Sequence, residues 1–269
     1  MTSPAGSVAS DDGRWYERHG NRYLSVTNIL SKSLPKEALV PWAVKLTAVK
    51  AEQCLDYALK HGTLPPRKKV ERIRKGQPVM LEVDHPTYWK GEHTRVKDAS
   101  SIRGNIIHDW AEHWVLGHEP EPPAEYVAEC LGIMRAFEKY EIEPIAAEAT
   151  FYNNTFRYAG TGDLLAKVGA WGGATALLDY KTGNNCWPET AYQLAAYRFG
   201  EFIGLPDEID LPVPETQAGG VLHVDHGTTH LIPYRCGKRE FEAFTHMVAV
   251  AYEVVEEMKN VKDWAGILS

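Results

Sequence analysis

Leu177-Leu178-Asp179-Tyr180-Lys181-Thr182-Gly183 is the stretch whose reading decides the fold. Its lead-in, Ala176-Leu177-Leu178, is a short apolar run of the kind that forms a buried strand. On an extended backbone alternate residues share a face, so Asp179 and Lys181 leave the strand on the same side. Just upstream, Arg157-Tyr158-Ala159-Gly160-Thr161-Gly162-Asp163-Leu164-Leu165-Ala166 reads as part of a hairpin. An adjacent antiparallel strand there brings Asp163 beside Asp179. Two carboxylates and one lysine around a point make a hard-cation site with a fixed positive charge next to it. That is the equipment of metal-assisted phosphodiester cleavage. Gly160 and Gly162 flank Thr161 just before Asp163, where glycine allows a bulge or a close approach of backbone to a phosphate or metal.

Gly160-Thr-Gly-Asp163, Asp179-Tyr-Lys-Thr-Gly183 and Gln193-Leu-Ala-Ala-Tyr197 follow one another along the chain, with Gly104-Asn-Ile-Ile-His108 upstream. In this order the motifs resemble the nuclease core of the PD-(D/E)XK superfamily. The nearest branch is the RecB-like one, which includes CRISPR-associated exonucleases and many bacteriophage recombination exonucleases. The resemblance covers residues 100–200 and reaches the flanks in outline. It implies an α/β fold with a restriction-endonuclease-like core, a central mixed sheet flanked by helices, and an N-terminal helical region walling the active site. It also implies a divalent-metal-dependent DNA exonuclease acting in recombination, repair or phage DNA processing.

The same resemblance assigns roles. His108, Asp163, Asp179 and the backbone carbonyl of Tyr180 hold Mg²⁺ or Mn²⁺. Lys181 positions the attacking water and stabilises negative charge in the transition state, and Gln193 and Tyr197 orient the lysine or the DNA. Glu148 falls where the family often has a glutamate; an ordinary exposed strand glutamate is the competing reading. By spacing alone His108 is an ordinary polar residue, and the resemblance makes it a ligand. The implied partner is linear DNA, single- or double-stranded, with a recombinase, a helicase or further copies of the chain beside it.

With 269 residues and 44% hydrophobic content the chain can bury a sizeable core. Its net charge of −7 does not advertise nucleic-acid binding, but a local basic channel can coexist with an acidic exterior. No apolar run has the length of a membrane span, and the opening residues lack an apolar signal core. A cytoplasmic protein with no membrane association is expected. Cys54, Cys130, Cys186 and Cys236 form no close pair. Relatives that hold an iron–sulfur cluster use one early cysteine and a late group; here only Cys236 is late, so buried free thiols are expected and a cluster is not.

Three divisions are expected: a disordered lead over 1–13, an N-terminal hairpin and helical region over 14–140, and a nuclease core over 141–269 that borrows His108. The hairpin turns at His19-Gly20-Asn21. Apolar periodicity predicts helices from Lys36 to Leu59, from Ile102 to Leu116 capped by Ser100-Ser101, and from Pro123 to Tyr140. Arg67-Lys-Lys-Val-Glu-Arg-Ile-Arg-Lys75 is the most basic run, read as a solvated helix face or as an arm on DNA phosphates. Residues 76–98 read as an irregular connection. Strands follow from Pro144, then a helix from Trp187 to Phe202, a hairpin around His226-Gly227, and a closing helix from Phe241 to Met258.

Two other functions compete. His223, Asp225, His226 and His230 cluster on the late hairpin and are a candidate transition-metal site for a different hydrolase. The other is a non-catalytic nucleic-acid-binding module on the nuclease fold, since a fold does not by itself confer function.

Overall fold

The computed structural model describes residues 7–10, 13–34, 39–66, 68–74, 77–83, 92–183 and 185–257. Strands β1 (Ser7–Ser10), β2 (Gly13–Arg18) and β3 (Asn21–Ser25) make an antiparallel meander. The β2–β3 turn is His19-Gly20, both at positive φ (47° and 71°), as a tight hairpin turn requires. Ser25 ends β3 and caps α1 (Val26–Ser33), its side chain accepting from the Asn28 amide at 3.1 Å. Next come α2 (Leu39–His61), the hairpin of β4 (Lys68–Arg74) and β5 (Gln77–Val83), and α3 (Glu92–Val115).

Helix α4 (Val127–Tyr140) stops at Glu141, which takes a left-handed conformation at φ 52°. Three antiparallel strands follow: β6 (Ile142–Asn153), β7 (Tyr158–Val168) and β8 (Ala174–Lys181). Then come α5 (Glu189–Arg198), β9 (Phe202–Gly204), β10 (Asp210–Pro212), β11 (Ala218–Asp225) and β12 (Thr228–Pro233). The last helix is α6 (Lys238–Tyr252), whose first turn is closed by the Gly237 amide donating to Glu240 Oε2 at 2.9 Å.

The result is α/β: a mixed, curled sheet of ten strands flanked by helices. Strand β7 is its hub. One edge pairs with β6 along its length. The other edge is shared, with β3 parallel to it at Tyr158 and Ala159 and β8 antiparallel to it from Leu164 to Val168. Over residues 160–163 that edge has no strand partner among the described residues, so the sheet forks there. Strand β11 lies parallel to β8, the crossover between them running through α5, and β12 follows as a hairpin.

Strand alternation sends Leu165 and Leu177 into a core with α1, α5 and α6. It sends Leu164, Ala166, Leu178 and Tyr180 into the opposite core, against Ile107, Trp110 and Ala111 of α3 and Cys130, Ile133 and Phe137 of α4. These two apolar layers fix the sheet from both sides. Among the described residues no helix is long and apolar enough to cross a membrane.

Several expectations are corrected. The disordered lead fails at Ser7–Ser10, which pair with β2 as β1; residues 1–6 and 11–12 lie outside the described residues. The chain divides into two compact units, Met1–Leu34 with Ile106–Ser269, and Pro35–Asn105, rather than at 140/141. The reason is that the N-terminal meander joins the main sheet through β3 and β7. The region before the sheet is not purely helical either. Residues 68–74 of the basic run are a strand, because Val70 and Ile73 pair with Leu81 and Pro78 across a hairpin. Residues 77–83 of the expected irregular connection are its second strand, and 84–91 lie outside the described residues. Helix α3 begins at Glu92, so Ser100 and Ser101 are interior to it and cap nothing.

Candidate active site

The fork in β7 sets the site. The last β7–β8 pair is Leu164 with Leu178, and one step further along both strands faces Asp163 with Asp179. On the other edge, Ala147 pairs with Leu164 and Ala149 with Gly162, which leaves Glu148 across from Asp163. Three carboxylates therefore stand in one lateral row over β6, β7 and β8. Glu148 adopts φ 48°, a local break in an otherwise regular strand.

Where the strands part, side chains replace the ladder. Asp163 Oδ2 accepts from the Tyr180 amide at 2.8 Å. In an extended strand a residue's N–H and C=O lie along the same edge, so the Tyr180 carbonyl faces the same gap. His108, on α3, comes from the opposite layer to place Nδ1 3.5 Å from Asp163 Oδ2, with its ring edge-on to Tyr180 at 5.6 Å. Lys181 Nζ is ion-paired to Asp179 Oδ2. The other Asp179 oxygen, Oδ1, accepts from Gln193 Nε2 at 3.2 Å, and the same amide group donates to Tyr197 Oη at 3.2 Å. All eight residues singled out from the sequence thus meet at or beside the fork.

Burial first, and crowding of charge second, shape the electrostatics. Burial pushes the Glu148 carboxyl up to about 8, and Asp163, Glu112 and Asp179 push in the same direction. Burial also raises Asp179, against the opposing pull of Lys181. For Lys181 burial disfavours the charge, but the Asp179 and Asp163 carboxylates outweigh it, so the ammonium holds its proton more tightly than usual. A fixed cation and a surplus of acidic oxygens occupy one gap.

The glycines serve a different purpose from the one expected. A Cβ on Gly160 falls 2.7 Å from Tyr197 Cε1, and one on Gly162 falls 3.1 Å from Phe151 Cε2 and 3.2 Å from Tyr197 Cδ2. They make room for the buried Tyr197 ring, which stacks on Phe151, rather than for a phosphate. Tyr197 and Gln193 then hold Asp179 from beneath, not Lys181. Between the glycines, Thr161 Oγ1 is hydrogen-bonded to Tyr16 Oη at 3.1 Å and to Thr150 Oγ1 at 3.0 Å.

The late-hairpin histidines do not assemble a site. His223 Nε2 donates to the Gly183 carbonyl at 2.7 Å, and the exposed His226 bonds Asp225 Oδ1 through Nδ1 at 2.5 Å. Among the described residues, the group that brings three ligand-type atoms within 4.8 Å is Asp109, Glu112 and His113 on α3. The sequence reading passed over it, although the spacing i, i+3, i+4 in Asp109-Trp-Ala-Glu-His113 is the signal that puts three such residues on one helix face. Cys54, Cys130 and Cys236 are buried and Cys186 is partly so, all as free thiols. Cys130 and Cys236 lie in different cores. No protein-family model matches this chain, and no curated protein does.

Proposed function

We propose that this chain is a divalent-metal-dependent deoxyribonuclease with a PD-(D/E)XK core, hydrolysing phosphodiester bonds of linear DNA as an exonuclease. The observation that carries the reading is the lateral row Glu148–Asp163–Asp179 at the fork, with Lys181 paired to its end. Three carboxylates so placed oppose one another, and the acidity of Glu148 is weakened first by burial and then by that opposition. A hard divalent cation relieves that opposition and fits the donors present: Asp163, Asp179, the Tyr180 carbonyl and the imidazole of His108. Oxygen donors suit Mg²⁺, and a nitrogen donor among them favours Mn²⁺. When bound, such a cation polarises the phosphodiester and makes the attacking water more acidic.

The chain's own groups do the rest. An ammonium carries several donors, so Lys181 can direct one at Asp179 and others at the water and the developing negative charge on phosphorus oxygens. Its proton is held by two neighbouring carboxylates, which keeps the positive charge in place at neutral pH. Gln193, anchored on Tyr197, fixes Asp179 so that it does not swing toward solvent. Glu148, its acidity near neutral, is suited to exchanging a proton with the site. DNA recombination, repair or phage DNA processing is the setting proposed, with a recombinase, a helicase or further copies of the chain as candidate partners.

The test is an assay on end-labelled linear DNA and on closed circular DNA, with Mg²⁺, Mn²⁺ or EDTA, beside Asp179→Ala. Metal-dependent loss of the linear substrate alone, absent in the variant, supports the reading. Cleavage of neither substrate overturns it and leaves a binding module.

A further inference from the structure

The link from β8 to α5, of which residues 182–183 and 185–188 are described, is tied to the site at both ends. It leaves from Lys181 and leads into α5, whose Gln193 donates to Asp179. Two contacts hold it in between. His223, the β11 register partner of Lys181, donates from Nε2 to the Gly183 carbonyl at 2.7 Å. The Tyr234 hydroxyl reaches the Cys186 thiol, which also lies within the fields of Lys181 and Asp179. Gly183 and Cys186 are therefore held near the gap.

Trp187 is the next residue, and it is 48% exposed. Trp15 and Trp110 are buried in the cores. Trp42, Trp114 and Trp171 are half-buried, so among the described residues Trp187 is the most open tryptophan. Its carbonyl accepts from the Thr190 amide at 3.1 Å, which fixes its backbone at the start of α5. A large flat indole with a fixed backbone, on the link between Lys181 and the Gln193 that holds Asp179, is suited to one class of ligand: the π-face of a nucleobase, which carries no charge for the carboxylates to repel.

We propose that Trp187 stacks on a nucleobase of the DNA strand whose phosphodiester sits at the carboxylate row, setting that strand's register. This rests on the nuclease reading above. Stacking does not read base identity, so Trp187 contributes affinity and register rather than sequence preference.

The experiment is an abasic scan. End-labelled oligonucleotides, each with one tetrahydrofuran residue at successive positions from the end, are cut in Mn²⁺ by wild type, Trp187→Ala and Trp187→Phe. Trp187→Ala is expected to raise KM about tenfold with a smaller change in kcat, and Trp187→Phe to recover most of the loss. In wild type one abasic position should weaken binding by a similar factor, and Trp187→Ala should be indifferent to that position. An unchanged KM in Trp187→Ala, or a wild type insensitive to every abasic position, overturns the proposal while leaving the nuclease reading intact. If wild type neither cuts nor binds DNA, the nuclease reading fails and the stacking role fails with it.

Discussion

The Tyr180 amide donates to Asp163 Oδ2, so a side-chain carboxylate stands where a backbone carbonyl of β7 would continue the ladder with β8. Asp163 thereby has two jobs: it ends the strand pairing and it supplies an acidic oxygen to the gap. The jobs separate by substitution. Asp163→Asn keeps an acceptor for the amide, whereas Asp163→Ala leaves a buried N–H unmet, at a cost of about 1–3 kcal/mol. Both should abolish metal-dependent cleavage. Thermal melts without metal should place Asp163→Ala well below Asp163→Asn, and equal melting temperatures would deny the structural job.

Glu148 yields a pH prediction. Its carboxyl is raised from 4.5 to about 8 in the fold, first by burial and then by Asp163, Glu112 and Asp179. Between those values the folded chain holds a proton that the unfolded chain has lost. Stability therefore falls as pH rises from about 4.5 through about 8, by linkage. Glu148→Gln, neutral at every pH, should remove that part of the decline. The gap in melting temperature between Glu148→Gln and wild type should widen from pH 6 to pH 9 in the absence of metal. A gap that stays flat would mean that Glu148 is ionised at neutral pH.

The row of carboxylates was legible in the sequence because strand alternation and a hairpin suffice to bring Asp163 and Asp179 together. Glu148 could be placed on a strand but not in the row, since its register depends on an irregularity between Pro144 and Ala146 that no local pattern announces. The glycines were misread for a related reason. Only the packing of α5 on β7 shows that Tyr197 fills the space they leave. The basic run misled because charge composition carries no period, and pairing with residues 77–83 decides that it is a strand. The N-terminal meander read correctly as a hairpin, yet its union with β7 is a long-range contact between residues 24–25 and 158–159, invisible to any window.

Gly160 gives a packing test that touches no titrating group. A methyl there meets Tyr197 Cε1 at 2.7 Å and Val26 Cγ2 at 3.0 Å, both held in a core. Gly160→Ala should cost about 1–3 kcal/mol as overpacking. It should also lower activity, because a displaced Tyr197 no longer anchors Gln193 against Asp179. Gly183→Ala is the control, since its Cβ would meet nothing within 4 Å. Chemical denaturation of the two variants checks the contrast. Equal stability would show that α5 yields without penalty.

Lys181 is the residue whose removal should separate catalysis from folding most sharply. Its ammonium is ion-paired to Asp179, whose carboxyl is buried. Lys181→Ala leaves that carboxyl without its counter-charge. Because burial already raises the pKa of Asp179, the orphaned group should respond by taking up a proton rather than by unfolding the chain. Protonation is easier at low pH, so the stability loss should be small near pH 5 and grow toward pH 8. Adding Asp179→Asn to Lys181→Ala should restore most of that loss, with a coupling of about 0.5–3 kcal/mol in the double-mutant cycle. Cleavage should vanish in both single variants and stay absent in the double, while DNA binding by Lys181→Ala is largely kept. Denaturation at the two pH values and a DNA-binding titration check these outcomes together. Full activity in Lys181→Ala would remove the lysine from the chemistry and confine it to the ion pair.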